Sequence, residues 1–372
     1  MTDKKIEQKE NDAVVEKNIT VAGGNQLKPL PKKVKARRVR IPKLSMLQSE
    51  IKKYIIGQDK AVDRITLAVY RSIKIPDIKS NILIIGKSGS GKTETVEQLA
   101  RVLNLPYTIE DSTKFTKEGY IGKDVEEAVY NLLDEAEWNI PRAERGMLIF
   151  DEIDKKVNSD FESDISGKDV LNSLLKIVEG TRIPLAEVES STSNVISTHV
   201  DTSKMIVIFM GAFSGIEEKR KQRLGKRNIG FGTSKDTTTP QEKDIRYTKD
   251  DLIAYGMPIE FVGRIDTIIE FETLSKESLA RIAKESKLSI FKRYESFLNA
   301  NGIKLEYDDS IFDEIAEQAI SKNTGARELS NVANEIFEPI LSKIFTADSG
   351  KYKKCILKNG FVKNPETAYV LE

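Results

Sequence analysis

The segment Gly86-Lys87-Ser88-Gly89-Ser90-Gly91-Lys92-Thr93 constrains this chain more than any other. It stands between an apolar run, Ile82-Leu83-Ile84-Ile85, and an amphipathic helical pattern carrying Val96, Leu99, Ala100 and Leu103. A glycine-rich turn that leaves a buried strand and opens a helix directs backbone N–H groups and the positive helix end at one point, which suits a phosphate group. Lys92 is spaced to compensate charge on β- and γ-phosphates, and Thr93 offers a hydroxyl to Mg²⁺. Strand, turn and helix in that order feed a crossover, so the expectation is a parallel sheet with helices on both faces.

The surrounding pattern agrees. Apolar runs recur at residues 107–109, 147–150, 205–210 and 268–271, separated by helical periodicities. Runs without polar alternation belong to strands buried on both sides. The reading is an α/β large domain over residues 45–271 and a smaller, mainly helical domain over 272–372, where Leu279, Ile282, Leu288 and Phe291 begin a series of helical faces. Residues 1–44 lack periodicity and read as a disordered or extended tail. Residues 182–200 and 217–249 resist assignment and read as long loops, a class that is usually functional or disordered.

Composition narrows the chemistry. One cysteine, Cys355, and one histidine, His199, exclude an internal disulfide and a Cys/His zinc cluster, and fit a reducing, cytoplasmic setting. No stretch approaches a membrane span. Net charge is +1, yet Lys28, Lys32, Lys33, Lys35, Arg37, Arg38, Arg40 and Lys43 crowd the end of the tail without an acid between them. With Pro29, Pro31 and Pro42 interspersed and no aromatic to stack on bases, that run reads as a solvated linker in preference to a nucleic-acid grip.

A second chemical motif is Met147-Leu148-Ile149-Phe150-Asp151-Glu152, an apolar strand ending in two carboxylates. In a parallel sheet the strand ends share one edge, so these carboxylates belong beside the phosphate loop. Asp151 is expected to face the metal and Glu152 to polarise water for attack on the γ-phosphate.

Together with these motifs, Tyr54-Ile55-Ile56-Gly57-Gln58, Gly119-Tyr120-Ile121-Gly122, Asp151-Glu152-Ile153-Asp154-Lys155, Ile229-Gly230-Phe231-Gly232, Glu260-Phe261-Val262-Gly263-Arg264 and Thr324-Gly325-Ala326-Arg327 follow one another in an order that resembles the AAA+ unfoldases of the ClpX type. The resemblance spans about four fifths of the chain, from Ser45 to Phe345. HslU is the nearest competitor, since Ser112-Thr113-Lys114-Phe115-Thr116 ahead of the Gly-Tyr loop resembles it too; the Ile-Gly-Phe segment favours ClpX.

The resemblance implies an ATP- and Mg²⁺-dependent protein unfoldase and translocase, assembled as a homohexamer and feeding a ClpP-like peptidase, with substrate proteins and an adaptor as further partners. It implies that Ile55, Ile56 and Val69 pack the adenine, and that Gly86 and Ser88 through Thr93 hold the phosphates. Tyr120 and Ile121 would grip polypeptide in the pore. Arg264 would reach the neighbouring subunit's nucleotide, Arg327 would touch its own, and Ile229, Gly230 and Phe231 would dock the peptidase. A remodeller working without a peptidase and a nucleic-acid motor are the alternatives. Three family features lack a counterpart in these residues: the four-cysteine zinc domain with which such proteins usually begin, the Arg-Lys-His pore-entrance triplet expected in 182–200, and a polar residue in the sensor 1 position.

Overall fold

The computed structural model describes residues 19–20, 26–27, 41–75, 78–115, 125–157, 165–189, 195–227, 246–322, 325–348, 350–358 and 360–372. Five strands form the central sheet: β1 (Asn81–Ile85), β2 (Tyr107–Asp111), β3 (Met147–Asp151), β6 (Ile206–Gly211) and β7 (Thr267–Glu270), with β4 (Arg182–Glu189) and β5 (Val195–Asp201) lying between β3 and β6 in the chain. The spatial order is β2-β3-β6-β1-β7 and every pairing is parallel. β1 and β6 are buried throughout, whereas the edge strands β2 and β7 are only partly so.

Period-two geometry sends successive side chains to opposite faces, and each face has its own apolar layer. Leu83, Ile85, Leu148, Phe150, Val207 and Phe209 pack with Val129, Leu132, Leu174 and Phe261 on one side. Ile82, Ile84, Met147, Ile149, Ile206 and Ile208 pack with Leu47, Ile65, Val69, Val96 and Leu99 on the other. The second layer comes from α1 (Leu44–Ile51), α2 (Asp59–Lys74) and α3 (Lys92–Leu103); α4 (Glu127–Glu135), α5 (Ile140–Ala143) and α6 (Ile165–Glu179) supply the first.

Residues 182–200 depart from the expected loop: β4 and β5 form an antiparallel hairpin with a register shift between Pro184 and Ala186. Ile183, Leu185 and Val200 bury into the first apolar layer, and short-range alternation at the hairpin base supplies the strand signal. The second unassigned stretch opens in α7 (Ile216–Arg227) and closes at α8 (Lys249–Tyr255), which is followed by α9 (Ile259–Gly263). In the N-terminal segment, Ile19–Thr20 pairs antiparallel with Gln26–Leu27.

The C-terminal domain is helical, with α10 (Lys276–Glu285), α11 (Ile290–Ala300), α12 (Ser310–Ser321) and α13 (Arg327–Thr346) around Phe291, Phe312 and Phe337, whose rings meet edge to face. A small sheet of β8 (Lys304–Glu306), β9 (Lys354–Leu357) and β10 (Tyr369–Leu371) closes its far side. Among the described residues no helix is long and apolar enough to cross a membrane.

Candidate active site

The phosphate loop is held at the carboxyl edge of the sheet by contacts only glycine permits. A Cβ on Gly86 would lie 2.7 Å from the Cβ of Phe271, and Gly86 N–H donates to the Gly211 carbonyl at 3.2 Å. Gly91 sits at φ +94°, the left-handed region, and starts α3. The Lys92 ammonium, nearly buried, folds back to donate to the carbonyls of Gly86 at 2.5 Å and Lys87 at 3.1 Å. Burial lowers its pKa, opposed by the charges of Asp151 and Asp154. The ammonium thus waits inside the loop, where an anionic phosphate is a stronger partner than two carbonyls.

Asp151 and Glu152 arrive from the end of β3, two strands away. The Thr93 hydroxyl donates to Asp151 Oδ2 at 3.3 Å, so the two hard oxygen ligands expected for Mg²⁺ stand side by side, a donor set that suits that ion. Asp151 Oδ1 accepts from the Glu152 N–H at 2.8 Å. Glu152 has φ +57° and ψ +32°, a left-handed conformation costing a non-glycine residue about 1 kcal/mol, and this twist turns its exposed side chain toward the cleft.

Asp154 has a part that sequence reading did not assign. It is almost fully buried, and its Oδ2 accepts from the Phe213 N–H at 3.0 Å, tying the turn after β3 to the end of β6. Phe213 is itself left-handed at φ +51°, and a Cβ on Gly211 would fall within 2.9 Å of the Asp154 carboxyl carbon. The end of β6 therefore runs into Gly211-Ala212-Phe213, and the carboxylate beside it comes from the neighbouring turn.

Between the two domains lies a cleft of roughly 540 Å³, within the range for a small-molecule site. The phosphate loop, Asp151 and Glu152 form its floor, and Ile55 and Ile56 line it. Val69 does not: it is fully buried against Ile65 and Val96 beneath the sheet, because the face of α2 that carries it turns inward. The helical domain supplies the apolar wall instead, through Leu288, Leu329 and Ala333. Neither their periodicity nor their spacing distinguished these side chains from core.

Two contacts join the domains across the loop. Gln58 donates through Nε2 to the carbonyls of Ser90 at 3.1 Å and Glu272 at 2.7 Å, and its Oε1 accepts from the Glu272 N–H. From the other side, Ala326 N–H donates to the Gly89 carbonyl at 3.0 Å and the Arg327 guanidinium to Ser88 Oγ at 3.2 Å. Arg327 thus reaches the cleft from the start of α13.

Arg264 stands elsewhere. It follows α9, does not line the cleft, and pairs with Glu179 at 2.6 Å with both side chains about half exposed. Tyr120 and Ile121, and Ile229, Gly230 and Phe231, lie outside the described residues.

The sequence is similar to that of known proteins. Residues 77–268 match the AAA domain (Cdc48 subfamily) and residues 274–356 the C-terminal, D2-small domain of ClpB protein. The ATP-dependent Clp protease ATP-binding subunit ClpX 2 of Wolinella succinogenes is 37% identical over 358 residues, covering 92% of this chain and 87% of that protein. ClpX of Borrelia duttonii is 34% identical, covering 87% of this chain and 79% of its own, and ClpX of Bacteroides thetaiotaomicron 32% identical, covering 84% and 80%.

Proposed function

The chain belongs to the ClpX family of AAA+ ATPases, and we propose that it unfolds proteins by threading them through the pore of a homohexamer into a ClpP-like peptidase. The observation that carries this reading is the shared cleft: the phosphate loop and both β3 carboxylates come from one domain, Arg327 and the apolar wall from the other. Nucleotide held by both domains links its own hydrolysis to their relative motion, and a motor requires that link.

Lys92 and the loop N–H groups bind the triphosphate, and Ile55, Ile56 and Leu329 enclose the base. Thr93 and Asp151 would hold Mg²⁺, which when bound would supply positive charge against the developing charge of the phosphates. Glu152 takes the proton of the attacking water, and its strained turn keeps the carboxylate at the cleft mouth. Arg327 follows the phosphates from the helical domain. Arg264, supplied by the adjacent subunit, stabilises the charge that spreads over the transferred phosphoryl group, so hydrolysis waits on assembly. Tyr120 grips substrate without reading its sequence, and Ile229 and Phe231 anchor the peptidase through repeated weak contacts.

The test separates binding from turnover and turnover from work. Lys92→Ala should lose nucleotide binding, whereas Glu152→Gln should bind ATP and hydrolyse it at least about a hundredfold more slowly. Tyr120→Ala should keep hydrolysing while losing the ability to unfold a stable tagged substrate. Normal turnover by Glu152→Gln removes it as the catalytic carboxylate, and unfolding at the wild-type rate by Tyr120→Ala removes the threading reading.

A further inference from the structure

We propose that Lys79 and Asn81, at the start of β1, are positioning residues for Arg264, and that they govern hydrolysis in the neighbouring subunit instead of their own. The proposal rests on the reading of Arg264 as a residue acting across the subunit interface. It adds the groups that hold that arginine in place.

The segment 79–81 makes a set of hydrogen bonds that converge on the Arg264–Glu179 pair from both sides. Lys79 Nζ donates to the Ile177 carbonyl and, at 2.7 Å, to that of Thr202. Asn81 Nδ2 donates to the Val178 carbonyl at 3.2 Å and to the Arg264 carbonyl at 3.0 Å. Asn81 N–H donates to Asp266 Oδ2 at 2.9 Å, and Asp266 N–H returns a bond to the Asn81 carbonyl at 2.9 Å. Ile177 and Val178 are the residues just before Glu179, the last of α6. One short stretch of chain therefore fixes the backbone of Arg264 and the helix end that carries its ionic partner.

The physical case is that the ion pair cannot orient itself. Two half-exposed side chains in water gain on the order of 0–1 kcal/mol from pairing, too little to hold a long guanidinium in one direction. The bonds beneath it are different in kind. The last carbonyls of α6 lack partners within the helix and carry its negative end, where a lysine cation and a buried amide donor are each favourable. Asn81 is nearly fully buried, so its N–H groups have no water to turn to if these carbonyls move.

Location separates this function from the cleft. β1 runs five residues, roughly 17 Å, from Asn81 to the phosphate loop, and neither Lys79 nor Asn81 lines the cleft. A defect here that acts through Arg264 must appear at the interface that Arg264 serves.

Subunit mixing reads that out. Homomeric rings of Asn81→Ala, or of Lys79→Met, should lose about tenfold in kcat with KM for ATP within about twofold, as expected when a transition-state contact is displaced while ground-state binding stays intact. Mixed in equal amounts with Glu152→Gln subunits, which cannot hydrolyse but carry an undisturbed Arg264, each variant's pockets should recover toward roughly half the wild-type rate, because about half then face an intact neighbour. A subunit defective in its own pocket or in its folding gains nothing from such a neighbour. The control is Arg264→Ala in the same mixture. Recovery by Arg264→Ala without recovery by either variant, or wild-type turnover in both homomeric variants, overturns the positioning assignment. Failure of Arg264→Ala to recover, or full activity in its own rings, overturns the cross-subunit reading and this proposal with it.

Discussion

Gly325→Ala tests whether the contact between the helical domain and the phosphate loop contributes to nucleotide affinity. Gly325 has φ +65°, and a Cβ there would lie 2.8 Å from the Gly89 carbonyl oxygen and 3.2 Å from the Gly89 Cα, both backbone atoms of the phosphate loop. Neither atom is the end of a flexible side chain, so the domains must part. Parting removes the Ala326 N–H bond to Gly89, worth about 1 kcal/mol, and the Arg327 bond to Ser88, which is exposed and worth about another 1 kcal/mol. Left-handed strain on the new alanine adds about 1 kcal/mol against the folded chain. Gly302→Ala isolates that last contribution: Gly302 has φ +77° with nothing within 4 Å of the added Cβ. Titration with a non-hydrolysable ATP analogue and Mg²⁺ should show Kd about thirtyfold weaker in Gly325→Ala, the equivalent of about 2 kcal/mol, and near wild type in Gly302→Ala. Both should lose a few degrees in Tm from the strain, and Gly325→Ala the more, since it also gives up the two hydrogen bonds between the domains. Equal affinity in the two variants would refute the claim that this contact holds the nucleotide.

Two further outcomes follow from buried polar groups. Asp154→Ala should lose about 1–3 kcal/mol in urea unfolding by leaving the Phe213 N–H without its acceptor, and Asp154→Asn, which keeps a carbonyl oxygen there, should lose clearly less; equal losses would show that the bond is not what matters. Burial brings the Lys79 pKa from 10.5 to about 8, with Asp201 and Asp266 opposing the fall. Between pH 8 and 10.5 the unfolded chain therefore binds more protons at this site than the folded one, and the contribution of Lys79 to stability rises with pH across that window. The stability of the wild type relative to Lys79→Met should improve by roughly 1–2 kcal/mol from pH 7.5 to 9.5, and a constant difference would show that the buried ammonium carries no such penalty.

The family, the parallel sheet and the chemical centre were legible in the sequence because each rests on local order. A buried strand, a glycine turn and a helix start are contiguous, so Gly86 to Thr93 carries its own geometry, and the apolar run before Asp151 fixes which sheet edge that carboxylate reaches. Periodicity on α2 did not say which apolar side chain met the cleft and which met the core. Val69 went to the core, since a helix face is assigned by what packs on it. The hairpin at β4 and β5 is not legible as a strand pair because Pro184 and a register shift interrupt the alternation of β4, and pairing with a second strand supplies the order instead. Leu329, Gln58 and the clasp of Ala326 on Gly89 depend on a domain more than two hundred residues away folding back over the loop. Asn81 and Arg264, 183 positions apart, meet only because β1 and β7 are neighbours in the sheet. Local sequence sets which groups are available for phosphate chemistry; the long-range closure of the chain decides which of them face the same cleft.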